Sequence, residues 1–260
     1  MIVDSYRRLR RVVSAVDNWY DLLLYHLGLH PRPIVRFRLG PRILYDPQTF
    51  GVEIFLEQPY SCVNAKGKTV VDIGAFIGDS ALYFLMVQKA DIVYAFEPFP
   101  YSYEIARKNV ELNKAENILL FNEAVGAEES EITLNPQLRS DAGSVLASAP
   151  GIPVRIRSLE SIVNDFGIQN AIMKVDCEGC EYEIFRRVNR RTMEAFDEIV
   201  LEYHRGCDDL AHRLEDFGYT VALLYDHMSP EMLGRQRSES GFLVARRVLQ
   251  PASLTTRRSE

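Results

Sequence analysis

Acids, one lysine and one histidine stand where apolar runs of this chain end, and side chains so placed bind polar ligands or move protons. Asp72 lies in Val70-Val71-Asp72-Ile73, and Glu97 closes Ile92-Val93-Tyr94-Ala95-Phe96. Glu123 follows Leu119-Leu120-Phe121-Asn122, with Ala124 next. Lys174 and Asp176 belong to Ile172-Met173-Lys174-Val175-Asp176, and Glu178 comes two residues later. Glu202 and His204 end Ile199-Val200-Leu201-Glu202-Tyr203-His204. A carboxylate accepts hydrogen bonds from vicinal hydroxyls, holds a cation or takes a proton, and imidazole titrates near neutrality. Sugar recognition, cation binding and general acid–base catalysis are the chemistries that suit this set.

The spacing between the first two acids narrows the choice. After Asp72 come Gly74, Ala75 and Gly78, then Asp79-Ser80 and a helix-like run, Ala81-Leu82-Tyr83-Phe84-Leu85-Met86-Val87. Glu97 stands 19 residues after Gly78 and is followed by Pro98. Strand, glycine turn, helix, strand and acid form the layout of a nucleoside-binding βαβ unit, with Glu97 placed to accept from two ribose hydroxyls. A dinucleotide turn needs G-x-G-x-x-G so that bare backbone can approach a pyrophosphate, whereas this turn reads D-x-G-x-x-x-G. It resembles the first motif of S-adenosylmethionine (SAM) methyltransferases, whose ligand carries an amino acid and no phosphate. Asp72 alone fits a helix cap, and Glu97 alone fits a solvated loop acid. Two glycines four apart with an acid on either side point to a site.

Regular alternation from residue 69 onward supplies the scaffold. Apolar runs predict strands near 69–73, 92–96, 117–122, 171–176, 198–203, 219–225 and 241–246. Helices are predicted near 79–89, 100–113, 158–166, 180–187 and 208–217. Alternating units of this kind give an α/β fold with a mostly parallel sheet covered on both faces. The turn-rich stretch 226–240 has no helical period and suits an antiparallel edge hairpin. Residues 127–157 interrupt the rhythm as an insertion, with short strands at Glu131-Ile132-Thr133-Leu134 and Val154-Arg155-Ile156 around residues 139–144. Upstream, residues 4–29 carry an i, i+3, i+4, i+7 apolar stripe that predicts one amphipathic helix. Gly28, Pro31 and Pro33 stop it. Two runs about Gly40-Pro41 then read as a β-hairpin, and 51–60 lead into the first core strand. The expected division is an appendage of helix and hairpin (1–60), a catalytic domain (61–250) and a disordered tail (251–260).

Ligands of open α/β sheets bind outside the carboxyl ends of the strands. Lys174 and Asp176 are anomalous inside a strand buried on both faces, and their spacing points them to one side. A structural ion pair or a helix cap accounts for them without function. The functional alternative sets Asp176 and Glu178 at the crevice, with Glu202 and His204 approaching from the next strand. Methyl transfer to an alcohol needs orientation and removal of a hydroxyl proton, tasks for a base or a metal ion. His204 is then the natural base, and Asp176 orients the hydroxyl or helps to bind a divalent cation. Which of these holds, and whether a metal takes part, stays open at this level.

Composition bounds the rest. A chain of 260 residues and 29.7 kDa buries a full core, and 47% hydrophobic with 25% charged residues is ordinary for a globular protein. Net charge −6 argues against a broad polyanion-binding surface, although the first 45 residues hold eight arginines against three acids. No apolar run approaches the roughly 20 residues that span a bilayer, and no signal-peptide pattern opens the chain, so a cytoplasmic location is expected. Four cysteines make no disulfide framework for this size. Cys177 and Cys180 have C-x-x-C spacing without a second pair to complete a zinc site, so loop and core packing is the expected role.

Over residues 50–246 the chain resembles the FkbM family of SAM-dependent methyltransferases. The likeness rests on Glu53-Ile54-Phe55, on Val71-Asp72-Ile73-Gly74-Ala75-Phe76-Ile77-Gly78-Asp79 and on Phe96-Glu97-Pro98. It continues through Lys108-Asn109-Val110-Glu111-Leu112-Asn113, Asn122-Glu123-Ala124-Val125-Gly126 and, most characteristically, Lys174-Val175-Asp176-Cys177-Glu178-Gly179-Cys180-Glu181. The resemblance implies a class I, Rossmann-like fold with seven strands and O-methylation of a small-molecule or glycan acceptor. It implies that SAM, leaving as S-adenosylhomocysteine, is held by Asp72, Gly74, Gly78 and Glu97. Lys174, Asp176 and Glu202 also loosely mimic the Lys/Asp/Glu set of an RNA ribose 2′-O-methyltransferase. A SAM-binding partner subunit without catalysis is a third reading, and the arginine-rich first helix, outside the likeness, suits partner contact or self-association.

Overall fold

A computed structural model describes residues 2–45, 53–135, 151–224 and 240–248. Helices α1 (Ile2–Ala15) and α2 (Trp19–His26) precede a hairpin of β1 (Ile34–Arg36) and β2 (Arg42–Leu44). Helix α3 (Glu53–Glu57) and a 3₁₀ turn (Pro59–Cys62) lead into β3 (Thr69–Ile73). Then follow α4 (Asp79–Leu82), β4 (Ile92–Phe96), α5 (Pro100–Leu112), β5 (Ile118–Phe121) and three short strands: β6 (Ala124–Gly126), β7 (Ser130–Leu134) and β8 (Ile152–Ser158). The chain continues through α6 (Leu159–Asp165), β9 (Ala171–Val175), α7 (Cys180–Arg187), α8 (Arg190–Met193) and β10 (Phe196–Tyr203). Helix α9 (Asp208–Asp216), β11 (Tyr219–Leu224) and β12 (Gly241–Arg247) complete it.

The main sheet has seven strands in the order β11-β12-β10-β9-β3-β4-β5. Strand β12 runs antiparallel to β10 and β11, while β10, β9, β3, β4 and β5 pair in parallel. This is the α/β fold read from the alternation, with the antiparallel pair at one edge. Strand β9 is buried at all five positions and β3 at four, because α helices cover both faces of a parallel sheet. From β3 the chain winds outward through β4 and β5, then returns to lay β9 on the other side of β3. That reversal is the topological switch point, where the carboxyl ends of β3 and β9 part and leave a crevice.

The insertion forms its own sheet, β6-β8-β7, with β6 parallel and β7 antiparallel to β8. Its expected centre at 139–144, the linking stretch 226–239 and the tail 251–260 lie outside the described residues.

The predicted single helix over 4–29 is two helices. Asn18 explains the break: its amide donates to Asp21 Oδ2 and to the Ile34 carbonyl (both 2.8 Å) and accepts from the Arg36 N–H (2.8 Å). A side chain that pairs with a hairpin backbone cannot continue a helix through that hairpin. Val16, fully buried, bridges Phe37 at the same place. The hairpin is fixed in turn by α5, where Asn109 Oδ1 accepts from Leu44 N and Asn113 Oδ1 from Arg42 N, both at 2.8 Å. The helix after the glycine turn keeps its α-helical pitch only through Leu82 and then makes a π-helical turn, Tyr83–Val87. Among the described residues no helix is long and apolar enough to cross a membrane.

Candidate active site

The glycine turn between β3 and α4 is shaped by a close backbone approach. Gly74 (φ +80°) lies so near the carbonyl of Asp176 that an added Cβ would sit 1.8 Å from that oxygen. Only glycine permits both the left-handed backbone and the contact. Gly78 (φ +80°) meets Ala106 more loosely, at 3.2 Å from an added Cβ. The Phe96 carbonyl accepts from Gly74 N and Ala75 N, and Asn109 Nδ2 donates to the Ile77 carbonyl at 2.8 Å. Fully buried Asn109 therefore ties the turn to the N-terminal hairpin.

Beneath the turn lies a buried ion pair. Lys174, 1% exposed, sets its Nζ 3.1 Å from Asp72 Oδ1 and donates to the Gly74 carbonyl at 2.6 Å. Burial works against its charge, but the Asp72 and Asp176 carboxylates outweigh it and raise the lysine above its ordinary pKa. Asp72 Oδ2 accepts from Ser80 Oγ at 2.6 Å. Lys174 thus secures the floor of the turn, and its ammonium faces backbone carbonyls.

Glu97 is 3% exposed, with Oε2 accepting from Phe76 N (2.9 Å) and Oε1 from Phe99 N (2.8 Å). Burial pushes its carboxyl up to about 8, against the pull of those two donors. Each oxygen keeps a further lone-pair direction, enough to receive a vicinal diol. Phe76 holds φ +48°, an uncommon value for a bulky residue, which presents its N–H to Glu97. Asp79 is buried and raised to about 7, chiefly by desolvation. Asn122 Nδ2 donates to the carbonyls of Glu97 (2.9 Å) and Pro98 (3.1 Å), locking the end of β4 to that of β5. Glu123 is paired with arginines of β8, 3.4 Å from Arg155 and 3.6 Å from Arg157. Ala124 opens β6 and pairs in register with Ile156.

Across the crevice, the ends of β9 and β10 build a wetter cluster around His204. Its Nδ1 lies 3.1 Å from Glu181 Oε1, and its Nε2 lies 3.4 Å from Glu178 Oε2 and 3.9 Å from Asp176 Oδ1. Burial lowers the pKa of the imidazole, but Glu181, Glu178 and Glu202 outweigh it and lift the ring to about 9. Glu202 is pushed up to about 8 by burial first and the Asp176 carboxylate second. Asp176, Glu202 and His204 each bring a ligand atom within 4.8 Å of the other two. Carboxylate with imidazole is a donor set that suits divalent first-row cations.

The structure therefore brings Asp176, Glu178, Glu202 and His204 together, while Lys174 sits below them under the glycine turn. Three contributors were given no role from sequence. Glu181 is fully buried, holds His204 Nδ1 and accepts from Gly179 N at 2.8 Å. Tyr60, 1% exposed, carries a phenol held well above its usual range by burial and then by Asp176 and Asp72. Tyr182 Oη receives the N–H groups of His204 (3.2 Å) and Arg205 (2.6 Å) and donates to Gly206, fixing the exit of β10. Glu181 was detectable as an acid in the first turn of a helix opening at a crevice. Tyr60 left no signal, since its sequence neighbours are far from the acids it approaches. Cys177 and Cys180, expected to serve packing, are joined by a disulfide.

The family model for the methyltransferase FkbM domain matches residues 72–221. Methyltransferase 1 of Beauveria bassiana (strain ARSEF 2860) is 22% identical over 199 residues, covering 66% of this chain and 80% of that protein. Methyltransferase FkbM from Methylobacillus flagellatus KT, a crystal structure, is 20% identical with TM-score 0.47 over 69% of this chain. The match takes in 43% of that structure, so this chain spans less than half its length. TrmK of M. capricolum, solved with S-adenosyl-homocysteine, is 13% identical with TM-score 0.47, covering 74% of this chain and 66% of that one.

Proposed function

Because the chain belongs to the FkbM family of methyltransferases, we propose that it transfers the methyl group of SAM to a hydroxyl of a small molecule or glycan. One observation carries the reading: Gly74 packs directly on the Asp176 carbonyl. That contact abuts a nucleoside-type cradle and a cluster of carboxylates with imidazole, at the switch point of the sheet. A donor held on one side of it meets an acceptor held on the other.

On the donor side, Glu97 receives the ribose hydroxyls, with Pro98 closing that edge. The turn through Gly74, Ala75 and Gly78 faces the amino-acid end, over a floor set by Asp72 and Lys174. Asp79, raised to about 7, adds an acid that stays partly protonated near neutrality. Glu123 and Ala124 border the adenine side, where the arginine pairing orients the glutamate. Bound there, SAM supplies an electrophilic methyl group on a cationic sulfonium.

On the acceptor side, Asp176 and Glu202 orient the hydroxyl, and His204 takes its proton. His204 with a pKa of about 9 is itself protonated at neutral pH and must first lose that proton. A sulfonium arriving beside Asp176, Glu178 and Glu202 replaces the proton as their counter-charge and so favours its release. Asp176, Glu202 and His204 would hold a divalent cation, and assays with and without a chelator decide whether one takes part. The burial of Lys174 under the glycine turn weakens the RNA 2′-O-methyltransferase alternative, which leaned on the likeness of Lys174, Asp176 and Glu202 to a Lys/Asp/Glu set.

Two experiments test the proposal. Incubating purified protein with cell extract and isotopically labelled SAM identifies the acceptor, and transfer exclusively to nitrogen or carbon would refute O-methylation. Calorimetry should show that Glu97→Ala weakens SAM binding by about 1–3 kcal/mol through lost hydrogen bonds to the ribose hydroxyls. An unchanged affinity removes Glu97 from the ribose site.

A further inference from the structure

The loop that carries Asp176 and Glu178 is closed by a covalent bond that methyl transfer does not use. Cys177 and Cys180 are disulfide-bonded, with Cα atoms 5.5 Å apart, and both are partly exposed. Between them stand two consecutive left-handed residues, Glu178 (φ +56°) and Gly179 (φ +117°). For Glu178 that backbone is unfavourable, and the cross-link that spans it opposes relaxation. The bond also divides the partners of His204. Glu181 is fully buried and anchored by Gly179 N, whereas the Glu178 side chain is 42% exposed and reaches Nε2 from the strained position.

We propose that Cys177 and Cys180 form a reversible thiol–disulfide site, served by a dithiol reductant, whose opening withdraws the Glu178 carboxylate from His204. In the exchange, a thiolate of the dithiol attacks Cys177 Sγ, and Cys180 leaves as the thiolate. Cys180 is the first residue of α7, where the helix dipole favours a negative charge. The second sulfur of the dithiol then attacks the mixed disulfide and releases Cys177. Two electrons pass to the protein, each cysteine ends as a thiol after protonation, and the reductant becomes a cyclic disulfide. Glu178, freed from the cross-link, relaxes to ordinary backbone and turns its carboxylate to water, while Glu181 keeps Nδ1. The site stands on loop geometry alone, independent of the methyl-transfer reading.

The test uses the full chain equilibrated in buffers of reduced and oxidised dithiothreitol, then alkylated and digested. The peptide bearing Cys177 and Cys180 should gain two alkyl groups across a reversible midpoint. Free thiols in air-oxidised protein, or a bond that no dithiol opens, would overturn the proposal. The coupling is read by NMR nuclear Overhauser contacts between the Glu178 side chain and the His204 ring, assigned with His204→Gln. Reduction should weaken them severalfold as the carboxylate leaves its place 3.4 Å from Nε2. C177S/C180S should sit at the reduced value under both conditions, and reduced wild-type protein gives the same reading should that variant fail to fold. Identical contacts in the two redox states would show a structural staple and overturn the coupling. Neither readout involves methyl transfer, so failure of one reading leaves the other standing.

Discussion

The two banks of the crevice hold charge in opposite ways. On the proposed donor bank Asp72, Lys174 and Glu97 are at most 3% exposed, and each is met by backbone groups or by an ion partner. On the proposed acceptor bank Asp176, Glu178 and His204 keep 29%, 42% and 17% of their side-chain surface. Their contacts are mutual and ionic, at 3.4–3.9 Å. A buried, backbone-satisfied carboxyl group is held in one orientation, suited to a ligand whose shape never varies. Solvated groups that share protons adapt to an acceptor and change charge during turnover. Rigidity on one side and adaptability on the other is the division that the proposed methyl transfer from one donor to chosen acceptors calls for.

Breaking the donor bank should therefore be structural in effect. Gly74→Ala is the most severe case, because the new Cβ overlaps the Asp176 backbone and φ is left-handed. A loss of roughly 4 kcal/mol or complete failure to fold is expected. Gly78→Ala, facing a side chain at 3.2 Å, should cost about 1–2 kcal/mol, mainly in φ strain. Thermal melts of the pair check the ranking, and equal losses would show that the backbone contact is unimportant. Lys174→Met should destabilise by about 3–5 kcal/mol, since it strands Asp72 without its partner in the interior. Asp176→Asn, on the other bank, should leave stability within about 1 kcal/mol and SAM affinity nearly intact while slowing turnover. Equal rates for Asp176→Asn and wild type would remove Asp176 from the reaction.

The same division explains what the sequence disclosed. Strand and helix positions from 69 onward were legible because buried strands read as continuous apolar runs, and their polar interruptions marked the crevice. Asp72, Glu97, Asp176 and His204 stood out as charges at strand ends. What stayed hidden depends on contacts between distant segments. The break at Asn18 arises from its pairing with a hairpin sixteen residues on, so the apolar stripe ran through it without a sign. The burial of Lys174 stayed hidden because spacing gives a side chain's face but not its depth. The bridge of Asn109 from the Ile77 carbonyl to Leu44 N joins three segments that no local pattern relates.

A smaller effect tests both banks by pH. Burial lifts Asp79 to about 7 and Glu97 to about 8, burial and Asp176 lift Glu202 to about 8, and carboxylates overcoming burial lift His204 to about 9. For the three acids the native state binds more protons than the unfolded chain from about pH 4 upward, so stability falls as pH rises through their native values. For His204 the contribution is complete below an unfolded pKa of about 6.5 and is lost as pH rises toward 9. All four act in one direction, and the unliganded protein should melt at a lower temperature at pH 9 than at pH 6. The donor adds a sharper measurement. SAM carries a sulfonium charge that its demethylated product lacks, so SAM alone gains from carboxylates unmasked as Glu202 and His204 deprotonate. The ratio of SAM to product affinity should therefore rise between pH 7 and 9, and turnover should rise with it as His204 becomes a free base. A ratio independent of pH in calorimetry would separate the sulfonium from the acid cluster and place the methyl group away from His204.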